Sequence, residues 1–207
     1  MTDPAMSREI IFQKIRSALE PIKDKAPHPG FDDATIISTV RTAGSAVEAF
    51  SRNFTAVNGR VMSSTAEVID LLRAQNHRVG YCDPALMEIL GRPLAEAGFE
   101  VRTEYLREAY DDYDFGITRA TGGIAETGSI VLDDALTSDR LAALSPWVHI
   151  AVLPKSQIHP SVPAAIAGLG SSRNIIWVTG PSKTADVEGI LIEGVHGPGE
   201  QIAFLID

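Results

Sequence analysis

The chain has 207 residues, enough for one sizeable hydrophobic core, and its 44% hydrophobic and 22% charged residues are typical of a globular protein. A formal net charge of −9, with no concentration of Lys and Arg, argues against binding to a nucleic-acid backbone. The single cysteine, Cys82, excludes a disulfide framework and an iron–sulfur cluster held by this chain alone, which needs about four ligands.

The first 30 residues are predicted to form a helix followed by a linker. Ile11 and Ile15 recur at helical spacing, with Ser7 as the predicted N-cap. Residues 21–30 contain three prolines and a glycine, which is typical of a linker. The N-terminal segment carries acidic residues and lacks the apolar core of a secretory signal. No stretch of the chain approaches the roughly 20 apolar residues of a membrane span, so we expect a cytoplasmic protein.

Residues 31–207 are predicted to form one α/β domain in which strands alternate with helices. Capping boxes mark two helix starts, Ser45 with Glu48 and Ser64 with Glu67. The β-rich segments are HRVGYC (77–82), EVRTEY (100–105), FGITRA (115–120), SIVLD (129–133), WVHIAVL (147–153), NIIWVTG (174–180) and QIAFLI (201–206). Further helices are predicted after Asp83-Pro84 and for SVPAAIAGL (161–169) and KTADVEGIL (183–191). This alternation predicts an open, mostly parallel sheet flanked by helices.

The glycine-rich segment GITRATGGIAETGSIVL (116–132) is the first candidate for chemistry, because it joins turns directly to apolar strands. In open α/β sheets, ligands usually sit at the carboxyl ends of strands. Glu126 lies between two glycine-containing turns, where a carboxylate could act as a base, a nucleophile or a ligand anchor. The alternative is that Glu126 only hydrogen-bonds a turn whose glycines supply unusual backbone angles.

Two later segments contain candidate anion contacts. A helix predicted to start near Ser182 would direct its backbone amides at an anion, with Lys183 adding charge, although the segment lacks the spacing of a Walker loop. The alternative is an ordinary N-cap by Ser182 or Thr184. His196, between small residues, could donate a proton or contact an anion, or it could be a turn residue whose ring satisfies a carbonyl. The chain has no GxSxG, HExxH or GxGxxG motif.

Together these segments resemble the lactate-utilisation protein C family with its LUD domain. The matching motifs, in order, are FTAVNGRV (54–61), IAETGSIVL (124–132), VLPK (152–155), TGPSKTADVE (179–188) and GVHGP (194–198). Several motifs in the correct order are more specific than any one alone. The resemblance covers roughly residues 31–207. It implies a fold like that of the CoA-transferase, ribose-5-phosphate isomerase and glucosamine-6-phosphate deaminase superfamily.

The resemblance also implies a role beside two iron–sulfur subunits that oxidise L-lactate to pyruvate. This chain would be an accessory subunit or assembly component without a cofactor or metal of its own, and the clusters would lie in its partners. Two alternatives stay open: a stand-alone enzyme acting on a small anionic substrate, and a carboxylate-sensing module. The candidate catalytic residues are Glu126 and His196. The candidate residues for binding a carboxylate or phosphate are Thr127, Gly128, Ser129, Gly180, Ser182, Lys183, Thr184, Asp186 and Gly197.

Overall fold

Two units make up the chain in the computed structural model, Met1–Thr35 and Ile36–Asp207. The structure describes residues 4–22, 30, 32–134, 136, 139–170, 172, 174–185 and 190–207.

The N-terminal unit contains helix α1 (Pro4–Leu19) and a 3-10 turn at Asp33–Thr35. The predicted helix is therefore confirmed, but the prediction that Ser7 is its N-cap is wrong, because the helix already begins at Pro4. Proline suits a first helical position, where its missing N–H is not needed. Most of the predicted linker falls outside the described residues.

The helices of the second unit are α2 (Ala46–Ala56), α3 (Thr65–Ala74), α4 (Arg92–Glu96) and α5 (Val162–Gly168). Helices α2, α3 and α5 begin where the sequence signals place them, whereas α4 begins at Arg92, later than the start predicted at Asp83-Pro84. Before α2, the Ser45 Oγ accepts a hydrogen bond from the Glu48 N–H, and the Glu48 carboxylate accepts one from the Ser45 N–H. The Asp83 carboxylate likewise accepts from the Ala85 N–H, at the start of a helical segment that reaches α4 through 3-10 and π turns.

Twelve strands are present among the described residues. They are β1 (Arg60–Met62), β2 (Val79–Cys82), β3 (Glu100–Arg102), β4 (Phe115–Arg119), β5 (Gly122–Ile124), β6 (Ser129–Asp133), β7 (Val148–Pro154), β8 (Ile158–His159), β9 (Ile175–Val178), β10 (Lys183–Ala185), β11 (Leu191–Glu193) and β12 (Glu200–Ile206). Six of them form a sheet in the order β1-β12-β7-β4-β2-β3, and all of its pairs are parallel. The α/β class and the parallel sheet are thus confirmed.

Both faces of the parallel sheet are buried, which explains the nearly continuous apolar runs of its central strands. Ile150 belongs to a cluster that includes Leu72 of α3 and Leu90 of the segment before α4. On the opposite face, Leu153 shares a cluster with Phe54 of α2. The period-2 alternation along β7 divides its side chains between these two clusters.

A second sheet, which the sequence did not predict, has the order β8-β5-β6-β9 and supplies part of the cluster around Phe54. A third sheet consists of β10 and β11, an antiparallel pair in which Lys183 lies opposite Glu193. The helix predicted to start near Ser182 is therefore wrong. Pairing with β11 overrides the local helical preference of a segment only a few residues long.

No helix in the described part of the chain is long and apolar enough to cross a bilayer.

Candidate functional site

Glu126 lies in the turn between β5 and β6, and its carboxylate is buried, with 8% of the residue exposed. Its Oε1 accepts a hydrogen bond from the Ser38 N–H at 2.8 Å, and its Oε2 accepts one from the Val162 N–H at 3.2 Å. Glu126 thus joins three segments that are distant in sequence. Its contacts include more than a local turn, and the carboxylate keeps acceptor capacity beyond these two bonds.

Gly128, in the same turn, allows α2 to approach closely. Its φ of +64° lies in the left-handed region, and a Cβ at this position would overlap the backbone of Asn53 and Phe54. Only glycine satisfies both conditions without strain. The turn that carries Glu126 is therefore held directly against the backbone of α2.

Residues 36–44, which we call the strap, are fixed by two side chains of α2. The Arg52 guanidinium donates to the carbonyls of Arg41 and Ala43 at 2.9 and 3.1 Å. The Asn53 amide donates to the Arg41 carbonyl at 2.9 Å and to the Ala125 carbonyl at 2.7 Å. Asn53 therefore ties the strap to the turn that contains Glu126.

Replacing Asn53 with alanine should lower the free energy of unfolding by about 1–3 kcal/mol, because carbonyls that are partly buried lose their donor. Denaturant unfolding monitored by circular dichroism would measure the change. Thr55→Ala provides a control on the exposed side of the same helix, and we expect it to stay within about 0.5 kcal/mol of the parent. Equal stability of the Asn53 variant and the control would contradict the role assigned to the amide.

The strap and the Glu126 turn line an open cavity of about 420 Å³, which we call the strap cavity. Its described lining residues are Ile36, Ser38, Arg41, Glu126, Thr127, Val162 and Pro163. Arg41 is the one basic residue among them, and its side chain is exposed. Among the described residues, no carboxylate forms an ion pair with its guanidinium. The cavity thus brings a cation, a carboxylate and hydroxyl groups together beside an apolar wall.

Four of the other predicted residues line a second cavity, of about 300 Å³, between β9 and the loop that precedes β12. They are Gly180, Ser182, His196 and Gly197. The Ser182 N–H donates to the Pro198 carbonyl at 2.9 Å and so holds the His196 loop in place. The sequence therefore identified residues of two cavities, with Glu126 in one and His196 in the other.

Two of the predicted binding residues, Lys183 and Thr184, do not line the second cavity. Lys183 Nζ donates to the Val57 carbonyl at 3.1 Å and lies 3.5 Å from the Glu193 carboxylate, so its charge is already paired. Thr184 lies in the middle of β10. Asp186 falls outside the described residues.

A chain of three hydroxyl groups connects the two cavities. Thr127, which lines the strap cavity, shares a hydrogen bond of 2.7 Å with Ser129, which is 2% exposed. Ser129 shares another, of 2.6 Å, with Thr179, which lines the second cavity. The motif residues Thr127 and Ser129 are therefore part of a polar connection through the protein.

A buried polar group that was not predicted from the sequence lies next to the second cavity. His149 on β7 has no exposed surface, and its ring lies 2.8 Å from the Thr118 hydroxyl and 3.0 Å from the Gln201 amide oxygen. Burial lowers the pKa of His149 to about 4, against an ordinary value of 6.5, so the ring is neutral at pH 7. Gln201 also lines the second cavity. Only the strand pairing brings these three residues together.

Both tryptophans of the chain lie near the second cavity. Trp177 on β9 lines it. The indole of Trp147 packs so closely against Gly194 and Gly199, on either side of the His196 loop, that a Cβ at either glycine would overlap the ring. The loop thus depends on glycine at both of its ends.

Side chains that commonly bind metal ions are dispersed among the described residues. No three of their His, Cys, Asp or Glu side chains are grouped to hold an ion. The one thiol, Cys82, is buried at the end of β2, and burial raises its pKa to about 12. A thiol with so high a pKa is a poor metal ligand or nucleophile, since both roles need the thiolate.

Comparison with known proteins shows which family the chain belongs to. A LUD domain model matches residues 57–206. A lactate utilization protein C from Halalkalibacterium halodurans is 34% identical over 121 residues, which are 55% of this chain and 53% of that protein. A protein of the same name from Bacillus subtilis is 34% identical over 124 residues, 56% of this chain and 51% of its own length. The chain thus spans about half the length of the curated relatives it matches.

A solved structure shares the fold. It is the crystal structure of a DUF162 family protein from Deinococcus radiodurans, with a TM-score of 0.57 and 22% identity, covering 78% of this chain and 96% of that one. The family resemblance found in the sequence motifs is confirmed by the domain match, which takes in four of the five motifs entirely. Because that match extends over well more than half of its residues, the chain belongs to the LUD domain family.

Proposed function

We propose that this chain acts in lactate utilisation, as an accessory subunit or assembly component beside iron–sulfur proteins that oxidise L-lactate to pyruvate. The observation that carries the proposal is the alignment with relatives named lactate utilization protein C, at 34% identity over more than half of this chain. The aligned part is about half of each relative, so the proposal extends from that shared part to the activity of the whole system.

The chemistry of the chain supports an accessory role. Oxidation of a 2-hydroxy acid to a 2-oxo acid releases two electrons, which enzymes pass to a cofactor. The only cysteine of this chain is buried and its pKa is raised to about 12, whereas a cluster takes about four thiolates. We therefore assign the electron-carrying clusters to partner proteins and a positioning or assembly task to this chain.

Reconstitution with the candidate iron–sulfur partners would test the proposal. Leaving this chain out during co-expression should reduce lactate-dependent dye reduction at least about tenfold. Adding the purified chain afterwards should restore the rate if it is a subunit, and should fail to restore it if the chain is needed only during assembly. An undiminished rate in its absence would overturn the proposal.

A further inference from the structure

We propose that the strap cavity binds a small 2-hydroxy carboxylate in this chain itself. The inference deepens the proposed function and rests on it for the choice of L-lactate as the probe. The class of ligand follows from the described side chains around the cavity: one cation without an ion-pair partner among them, one buried acceptor of hydrogen bonds and one apolar wall.

Arg41 supplies the contact for the ligand carboxylate. A guanidinium can donate two parallel hydrogen bonds to a carboxylate, which fixes both the position and the orientation of the ligand. The Arg41 side chain has no partner among the described residues, so it loses no existing ion pair when it binds an anion. Its backbone is already held through its carbonyl by Arg52 and Asn53, which reduces the ordering that binding requires.

Glu126 distinguishes a hydroxy acid from related acids. Each of its carboxylate oxygens already accepts one backbone N–H, and each keeps a further lone pair. The hydroxyl group of a 2-hydroxy acid can donate to such an acceptor. A 2-oxo acid has only hydrogen-bond acceptors, so its carbonyl oxygen would lie against the Glu126 carboxylate and be repelled by it. An acid without a substituent at this carbon would offer the Glu126 carboxylate no hydrogen-bond donor.

The charge and the shape of the strap cavity further restrict the class of ligand. Arg41 is the single cation among the described lining residues, and it faces a ligand that must also lie near the negative charge of Glu126. A monoanion is therefore favoured over a phosphate ester with two charges. Ile36, Val162 and Pro163 form the apolar side, which suits an alkyl group. The volume of about 420 Å³ also admits acids with a longer alkyl chain than lactate.

Titration of the isolated full chain with three acids of similar size would test the inference. Calorimetry should show L-lactate binding about tenfold more tightly than pyruvate or propionate, the effect of one hydrogen bond to a charged group. In an amide NMR titration, the Ser38 and Val162 N–H signals should shift, because both groups donate to Glu126. Arg41→Gln should weaken lactate binding about tenfold or more.

Arg92→Gln is the matched control. Arg92 is an exposed arginine on α4 that pairs with Glu88, and it does not line the strap cavity. We expect this variant to bind lactate like the parent. Equal weakening by both arginine variants would indicate attraction of anions to the general surface and would overturn the site. Equal affinities for lactate and propionate would overturn it as well, as would the lack of a saturable signal up to about 50 mM acid.

The failure of this site is separable from failure of the proposed function. If the chain binds no hydroxy acid but lactate-dependent dye reduction still requires it, the binding site is wrong and the accessory role stands. If the chain binds lactate through Arg41 and dye reduction does not require it, the binding site stands and the accessory role falls.

Discussion

Replacing Gly128 with alanine should lower the free energy of unfolding by about 2–5 kcal/mol. This loss is the sum of two costs, that of a left-handed backbone at a residue with a Cβ and that of overpacking. The residue has a φ of +64°, and a Cβ there would overlap backbone atoms of Asn53 and Phe54. Backbone atoms within a helix cannot move aside as a flexible side chain can. Denaturant unfolding would measure the loss.

Gly98→Ala separates the two costs. Gly98 also has a positive φ, of +95°, but nothing lies within 4 Å of the position that its Cβ would take. We expect this variant to lose only the backbone part, about 1–2 kcal/mol. If the Gly128 and Gly98 variants unfold at the same denaturant concentration, the close approach of α2 to the Glu126 turn makes no contribution to stability.

The second large effect is a loss of stability in acid that depends on His149. In the unfolded chain this histidine takes up a proton near its ordinary pKa of 6.5, whereas burial lowers its pKa in the folded chain to about 4. Between these values the unfolded state binds more protons, so stability falls as the pH is lowered through this window. The full difference is about 3 kcal/mol at 1.4 kcal/mol per pKa unit.

Unfolding curves at several pH values between 7.5 and 4 would measure this loss in the parent and in His149→Gln. The carboxylates titrate alike in both proteins, so the difference between the two slopes isolates the histidine. We expect the variant to be less stable at pH 7.5 and to lose about 3 kcal/mol less on acidification. Parallel slopes would show that the His149 ring is not held neutral by burial.

The parallel sheet could be predicted from the sequence because its signals are local. Capping residues such as Ser45 and Asp83 mark helix starts, and apolar runs such as 147–153 need burial on both faces. The turn at Glu126 was also recognisable from its glycines. The proposed likeness to the CoA-transferase and isomerase superfamily stays a prediction.

The strap cavity could not be predicted in full because its contacts are distant in sequence. Ser38 meets Glu126 across 88 positions, and neither Ser38 nor Arg41 belongs to a recognisable motif. The pairing of β10 with β11 was mistaken for a helix for the same reason, since it is decided by residues at and beyond the end of the predicted segment. His149 gave no signal either, because a histidine within an apolar strand reveals its partners only when neighbouring strands are placed.

The positions of Trp147 and Trp177 have a practical consequence for spectroscopy. Both indoles lie near the second cavity, and neither lines the strap cavity. Intrinsic fluorescence of the native chain is therefore a spatially selective reporter. A ligand entering beside His196 should change the emission, whereas a hydroxy acid held by Arg41 should be spectroscopically silent, so that one cuvette measurement can tell which of the two cavities has been filled.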